Sequence, residues 1–299
     1  AREGDLVAAT FGRGFYVLDD LTPLREAKPD AFQADAHLFG LRPALAFIQG
    51  VPFGGPGKSF QGDALYLAPN PPFGAVFTYH VNAAPKSLKK QRQEREKEAA
   101  KAGQDVAFPG WEALRAEDRE DEPGGVITIS GPEGQVVRRL AVKSAKGLHR
   151  VAWDLRFPNP APIRLKTEGE RDPWDYGPRG ALAAPGRYEA RLAFKVDGVL
   201  KPVGTPVSFE VKPLDAHRLT AAQWQDYSAF SARMGEVQRR GEGLSGRLAE
   251  ARNRLDHVRK ALLETPGADP ALLADARTAG HALKDLQERL QGDRTVAAR

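Results

Sequence analysis

The pattern of the chain changes once, between residues 213 and 219, and that change limits what it can fold into. Before it, short apolar runs are cut repeatedly by the turn residues glycine and proline, 30 and 23 of them in the chain as a whole. Short runs bounded in this way mark folds built from many strands and turns. After Pro213 the residues are mainly Ala, Leu, Arg, Glu and Gln, which favour helix. The pattern predicts a mainly β fold with an α-helical C-terminal part. A length of 299 residues supports about two domains.

Asp5-Leu6-Val7-Ala8-Ala9-Thr10 reads as a strand, and residues 14–18 read as its partner across the turn Phe11-Gly12-Arg13-Gly14. A ribbon of two strands is marginal in water alone. Few partner strands are evident in the next forty or so residues, so its sheet is expected upstream, in a longer protein of which this chain is a piece. Residues 1–24 are assigned to this ribbon and residues 25–68 to a connector, with short strands at His37-Leu38-Phe39 and Ala44 to Ile48. Strand patterns resume at Ala75–Val81. They recur at Gly125–Ile129, Gln135–Leu140, Gly147–Leu155, Arg187–Phe194 and Val207–Val211. Tyr188, Ala190, Leu192 and Phe194 fall on one face at period 2. Leu148, Val151 and Trp153 or their neighbours are expected to face the core. About seven strands with regular turns predict a β-sandwich over residues 69–213. A charged insertion, residues 85–123, interrupts it. Its Lys86–Lys101 run and its acidic Glu112–Glu122 run lack a broad apolar face, which predicts solvated helices or loops.

Residues 214–299 read as a helical hairpin. Thr220 and Gln223 are spaced as a capping box. Trp224, Tyr227, Phe230, Met234, Val237, Leu244, Leu248, Leu255, Val258 and Leu262 follow helical steps, and Pro266 to Pro270 ends the run. A second helix offers Leu272, Ala276, Leu283, Leu286 and Leu290. A short connection between such seams predicts an antiparallel hairpin, able to meet a protein partner or a second copy. Gly241, Gly243 and Gly246 predict a kink or break in the first helix.

Several function classes find no support in the residues. The net charge of +5 is spread over 44 basic and 39 acidic groups, without the focused stripe of a nucleic-acid binder. Cysteine is absent, which removes disulfides and thiolate chemistry. No apolar run reaches the length of a membrane-spanning helix. The histidines, His37, His80, His149, His217, His257 and His281, are scattered, none near another at metal-ligand spacing. Gly12-Arg13-Gly14 lacks the Gly-Lys-Ser/Thr ending of a phosphate loop. No cofactor and no catalytic residue is assigned.

Three segments resemble one bacterial family. The run from Asp5 to Asp20 looks like the closing strands of the propeller in sortilin-like proteins, often described as glycosyl hydrolases with bacterial neuraminidase repeats. Pro71-Pro72-Phe73-Gly74-Ala75-Val76 looks like the lead-in to the sandwich that follows that propeller. Residues 134–140, Gly147 to Arg156 and Pro185-Gly186-Arg187-Tyr188 are similar to the Ig-like domain of flagellar hook-capping proteins. The resemblance implies an Ig-like or fibronectin III-like sandwich, remnant propeller strands ahead of it, and a periplasmic or extracellular location in a bacterium. No Ser-x-Asp-x-Gly-x-x-Trp box of the neuraminidase repeats occurs, so a carbohydrate site on the propeller would lie outside this chain.

Three sets of residues invite a chemical reading. Asp19-Asp20 is a carboxylate pair, but adjacent strand residues point to opposite faces, which favours turn and strand-end hydrogen bonding over a glycosidase pair. Trp153-Asp154 reads as a core anchor followed by a turn-bonding carboxylate. In the loop from Asp172 to Arg179, Trp174, Asp175, Tyr176 and Arg179 join aromatic faces to charges, suited to packing across the open end of the sandwich or onto the propeller, or to a sugar ring or a partner's groove. The leading expectation is a non-catalytic structural and interaction module on an exported propeller protein. The alternative is an accessory, carbohydrate-binding region of a propeller glycoside hydrolase.

Overall fold

The computed structural model describes residues 4–12, 14–49, 68, 70–163, 179–214, 219–293 and 296. The first elements are β1 (Leu6–Ala9), β2 (Phe15–Leu18), α1 (Thr22–Glu26), α2 (Pro29–Gln33), β3 (Ala36–Leu38) and β4 (Ala44–Ala46). Then come β5 (Ala75–Val81), α3 (Leu88–Lys101), α4 (Trp111–Arg119), β6 (Gly124–Ser130), β7 (Val136–Val142) and β8 (Gly147–Trp153). The last are β9 (Gly186–Val196), β10 (Val199–Pro202), β11 (Val207–Pro213), α5 (Ala221–Glu264) and α6 (Ala271–Gln291). The fold is mixed, with β-sheets through the first part of the chain and a helical C-terminal part. It divides into two units, Ala1–Pro158 with Leu182–Gln225, and Asn159–Ala181 with Asp226–Arg299.

The first unit holds two larger sheets. One has the order β4-β11-β9-β6-β7, with β10 also paired to β9; the other has the order β3-β5-β8. Alternation decides which side chains meet between them. Tyr188, Ala190, Leu192 and Phe194 of β9 are buried, as their spacing predicts. So are Ile127 and Ile129 of β6, and Ala75, Phe77, Tyr79 and Val81 of β5. An aromatic group joins the sheets: Phe77 meets Phe209 edge-on at 5.4 Å, and Trp153 meets Tyr188 at 5.4 Å. On β8 the inner face falls to Val151 and Trp153. Leu148, expected to face the core, sits one step out of that phase and is exposed.

The segment read as a connector contributes to both sheets. β3 pairs antiparallel with β5, and β4 pairs in parallel with β11. Three residues suffice for each because Ala36, Leu38, Ala44 and Ala46 all reach the core. Between β5 and β6 the charged insertion forms α3 and α4, with no buried residue in either. Polar contacts hold them together: the Arg92 guanidinium forks onto Glu117 at 2.6 and 2.9 Å, and also meets Glu96 at 2.8 Å.

β1 and β2 form a separate antiparallel ribbon, every residue of which is exposed. Thr10 N–H donates to Gly14 C=O at 2.9 Å across its turn.

In the second unit α5 and α6 run antiparallel. Arg252 bonds Gln287, while Arg259, further along α5, donates to Ala276 C=O, earlier in α6. Leu255 and Arg259 lie where a Cβ on Gly280 would stand, so the small residues Ala276 and Gly280 let the helices approach. The capping box at the start of α5 forms as spaced: Thr220 N–H donates to Gln223 Oε1 at 2.8 Å, and Gln223 N–H to Thr220 Oγ1 at 3.3 Å. Of the kink or break expected at Gly241, Gly243 and Gly246, the break does not occur: α5 is continuous through them. Each glycine weakens the helix by only about 1 kcal/mol, and good helix formers with the pairs Glu236–Arg240 and Glu250–Arg254 bracket the stretch.

Candidate functional site

The polar centre of the first unit lies at the root of the ribbon. β2 leads into Asp19 and Asp20, and Asp20 takes a left-handed backbone, φ 60°, with 8% of its surface exposed. Asp is among the few residues that tolerate this region. One Asp20 carboxylate oxygen accepts from Thr22 N–H at 3.0 Å and the other from Arg42 N–H at 3.4 Å. Asp5 Oδ1 accepts from Asp20 N–H at 2.8 Å and from the Arg42 guanidinium at 2.7 Å. Leu21 N–H donates to Gly4 C=O at 2.7 Å, and Arg150 reaches the Asp19 carbonyl at 3.4 Å. Both ends of the ribbon are thereby tied to the segment between β3 and β4. Asp20 accepts hydrogen bonds at the strand end, as read from the sequence, whereas at Asp19 the backbone carbonyl is the acceptor. The Arg42 link was not legible, since it joins residues far apart in the chain.

Beside this root is a cleft of about 810 Å³. Asp19, Arg42, Arg150 and Asn70 line it, together with Phe47 and Phe73, whose rings meet edge-on at 4.9 Å. It offers an aromatic edge, three aspartates (Asp5, Asp19 and Asp20) and two guanidiniums to a small polar molecule. A comparison of the chain with family models, curated proteins and solved structures finds no match.

Of the binding residues chosen from sequence, Trp174, Asp175 and Tyr176 lie outside the described residues, and Arg179 is exposed at the margin of that segment. Trp153 and Asp154 fill their structural roles. Trp153 is fully buried and donates from Nε1 to Arg156 C=O at 2.9 Å; Asp154 accepts from Arg156 N–H at 3.2 Å.

Register brings together histidines that the sequence scatters. His37 and His80 stand directly opposite on β3 and β5, and His149 is opposite Tyr79 on β8. Phe32 of α2 meets the His80 ring edge-on at 5.0 Å. His80 Nδ1 is buried without a hydrogen-bond partner. Burial, reinforced by the positive charges of Lys146, His149 and His37, pushes its pKa below the usual histidine value. Among the described residues no three His, Asp or Glu side chains gather as metal ligands do. Burial also pushes the Tyr188 hydroxyl up to about 12; it donates to Ala184 C=O at 2.6 Å.

Proposed function

We propose that this chain is a non-catalytic structural and interaction module at the C-terminal end of an exported bacterial β-propeller protein, in which an Ig-like sandwich carries the last strands of the propeller. One observation carries the reading: the β1–β2 ribbon exposes both its faces, yet its root is fixed by Asp5, Asp20 and Arg42. Phe15, Tyr16 and Val17 are 56–76% exposed. An apolar ribbon of this kind is stable only when further strands extend it. The resemblance of Asp5–Asp20 to closing propeller strands supplies those strands from the preceding blade. The two facing sheets suit the sandwich that follows such a propeller, and export follows from the same resemblance.

Amide hydrogen exchange tests this. The amides of Leu6–Ala9 and Phe15–Leu18 are compared in this chain alone and in the full product of its gene. Protection gained only in the longer product supports the reading. Equal, rapid exchange in both, or a gene that encodes nothing upstream, overturns it.

A second reading is an accessory carbohydrate-binding region. The cleft favours it, because the Phe47–Phe73 edge lies with Asp19 and Arg150. Retention in polysaccharide-containing gels, lost on Asp19→Ala or Trp174→Ala without a fall in melting temperature, would establish it. Unaltered mobility in all polysaccharides would remove it.

A further inference from the structure

The α5–α6 hairpin leaves one apolar groove open. Leu244, Leu248, Leu283, Leu286 and Leu290 line it with Ala251, over about 410 Å³. Leu244, Leu286 and Leu290 are 38–56% exposed. Two guanidiniums, Arg247 and Arg289, complete its lining, and no carboxylate belongs to it.

The repeat along α5 explains why Arg247 has no partner. Arg240, Arg247 and Arg254 recur at heptad spacing on one side of the helix. Arg240 pairs with Glu236, and Arg254 with Glu250, each at the preceding turn. The corresponding place before Arg247 is held by Gly243. Among the described residues neither Arg247 nor Arg289 has an ion-pair or hydrogen-bond partner. The groove thus joins an uncovered leucine surface to uncompensated positive charge on its own rim.

We infer that this groove docks an amphipathic helix of a partner protein, with aliphatic anchors at helical spacing and carboxylates placed to meet Arg247 and Arg289. A second copy of this chain is the poorer occupant. A two-fold copy presents the same patch to itself, and the patch brings two more arginines and no carboxylate. The inference deepens the interaction-module reading, on residues that the ribbon argument does not use.

The test uses the full chain and two synthetic peptides of about 21 residues, with Leu at heptad positions a and d. One carries Glu at e and g, the other Lys. Fluorescence anisotropy is expected to show the Glu peptide binding at least about tenfold more tightly than its Lys twin. The double substitution Arg247→Glu with Arg289→Glu should invert that preference, and Leu286→Ser should weaken binding of either peptide. All these positions are exposed, and circular dichroism checks that the variants remain helical. Equal affinity for the two peptides, or binding of neither, overturns the proposal. So does a dimer, seen by sedimentation, that Leu286→Ser dissolves, because the occupant is then a second copy. Ribbon protection is read on other residues, so either idea can fail alone.

Discussion

β2 and β9 are written in the same residue vocabulary and meet opposite fates. Phe15-Tyr16-Val17-Leu18 and Tyr188-Glu189-Ala190-Arg191-Leu192 both mix aromatic and aliphatic side chains at strand spacing. β9 is hydrogen-bonded to β6, β10 and β11, and it turns one face to a core shared with a second sheet. β2 is bonded to β1 alone and turns both faces outward. Strand propensity is therefore a statement about surroundings as much as about residues. In β9 the surroundings are present. Among the described strands β2 has only β1, and the comparison can be broken by substitution on either side.

The largest effect belongs to the core. Trp153→Ala removes a fully buried ring packed against Tyr188 and Phe209, and a loss of about 3–5 kcal/mol is expected in urea unfolding. Gly74→Ala strikes the same place from the backbone. Its φ is +101°, and a Cβ there would lie 1.9 Å from the Trp153 carbonyl oxygen, so main chain must move. Positive φ alone makes this cost about 1–3 kcal/mol. Phe15→Ser and Tyr16→Ser, by contrast, should stay within about 0.5 kcal/mol in this chain. Ribbon variants as costly as Trp153→Ala would show that β2 already has a buried partner here, and the comparison would collapse.

Asp20→Ala should come next, at about 1–3 kcal/mol, because it leaves the amides of Thr22 and Arg42 without their acceptor. The loss should be local: in the full product of the gene, exchange at Phe15–Leu18 accelerates while that at Tyr188–Phe194 does not. Uniform acceleration would mean that ribbon and core unfold as one.

What the sequence made legible follows the same division. Period-2 alternation in β9, the Thr220–Gln223 box and the leucine steps of α5 and α6 are local patterns, and local patterns survive without knowledge of neighbours. The pairing of β3 with β5 and of β4 with β11 is not local. Three-residue strands carry too little pattern to announce a partner, so the segment reads as a connector. The opposition of His37 and His80 depends on the same register. Arg42 with Asp5, and Arg92 with Glu117, join charges that sequence alone scatters among many equivalents. Of the candidate site, the loop aromatics were chosen by composition and the ribbon root by its Asp-Asp turn. Only the turn falls within the described residues, and there the structural role won because backbone amides take up both Asp20 oxygens.

A smaller effect distinguishes the two sides of the β3-β5-β8 sheet. His80 lies on the side away from the core, under α2, and is held neutral by burial and by the nearby charges of Lys146, His149 and His37. Its folded pKa lies below the ordinary value of about 6.5. Between those two values the unfolded chain binds more protons, so the stability His80 contributes is full above about 6.5 and is lost as pH falls through the folded value. His80→Leu should flatten that part of the stability profile, read as melting temperature against pH. An unchanged slope would mean that α2 lets water reach the ring.

The smallest effect contrasts the two helical hairpins, each considered within its own unit. α5 and α6 meet through Leu255, Ala276 and Gly280, whereas α3 and α4 rely on Arg92 and its carboxylates. The Arg92 guanidinium holds Glu117 below the usual carboxylate range, chiefly through their hydrogen bonds. A depressed acid contributes stability above its unfolded pKa, near 4.5, and loses it as pH falls through the lower folded value. In that acid window α3 should separate from α4. The exposed Phe108–Trp111 ring pair beside the start of α4 makes the event visible as a change in Trp111 fluorescence. Glu117→Gln should produce the same emission at neutral pH, with little change in melting temperature, since neither α3 nor α4 contributes a buried residue to the core. The α5–α6 contact, made of aliphatic and small side chains and of arginine bonds to neutral acceptors, should pass through the same window unaltered. If emission stays constant down to the lowest pH at which the core remains folded, the α3–α4 hairpin is held by packing and the contrast between the two hairpins disappears.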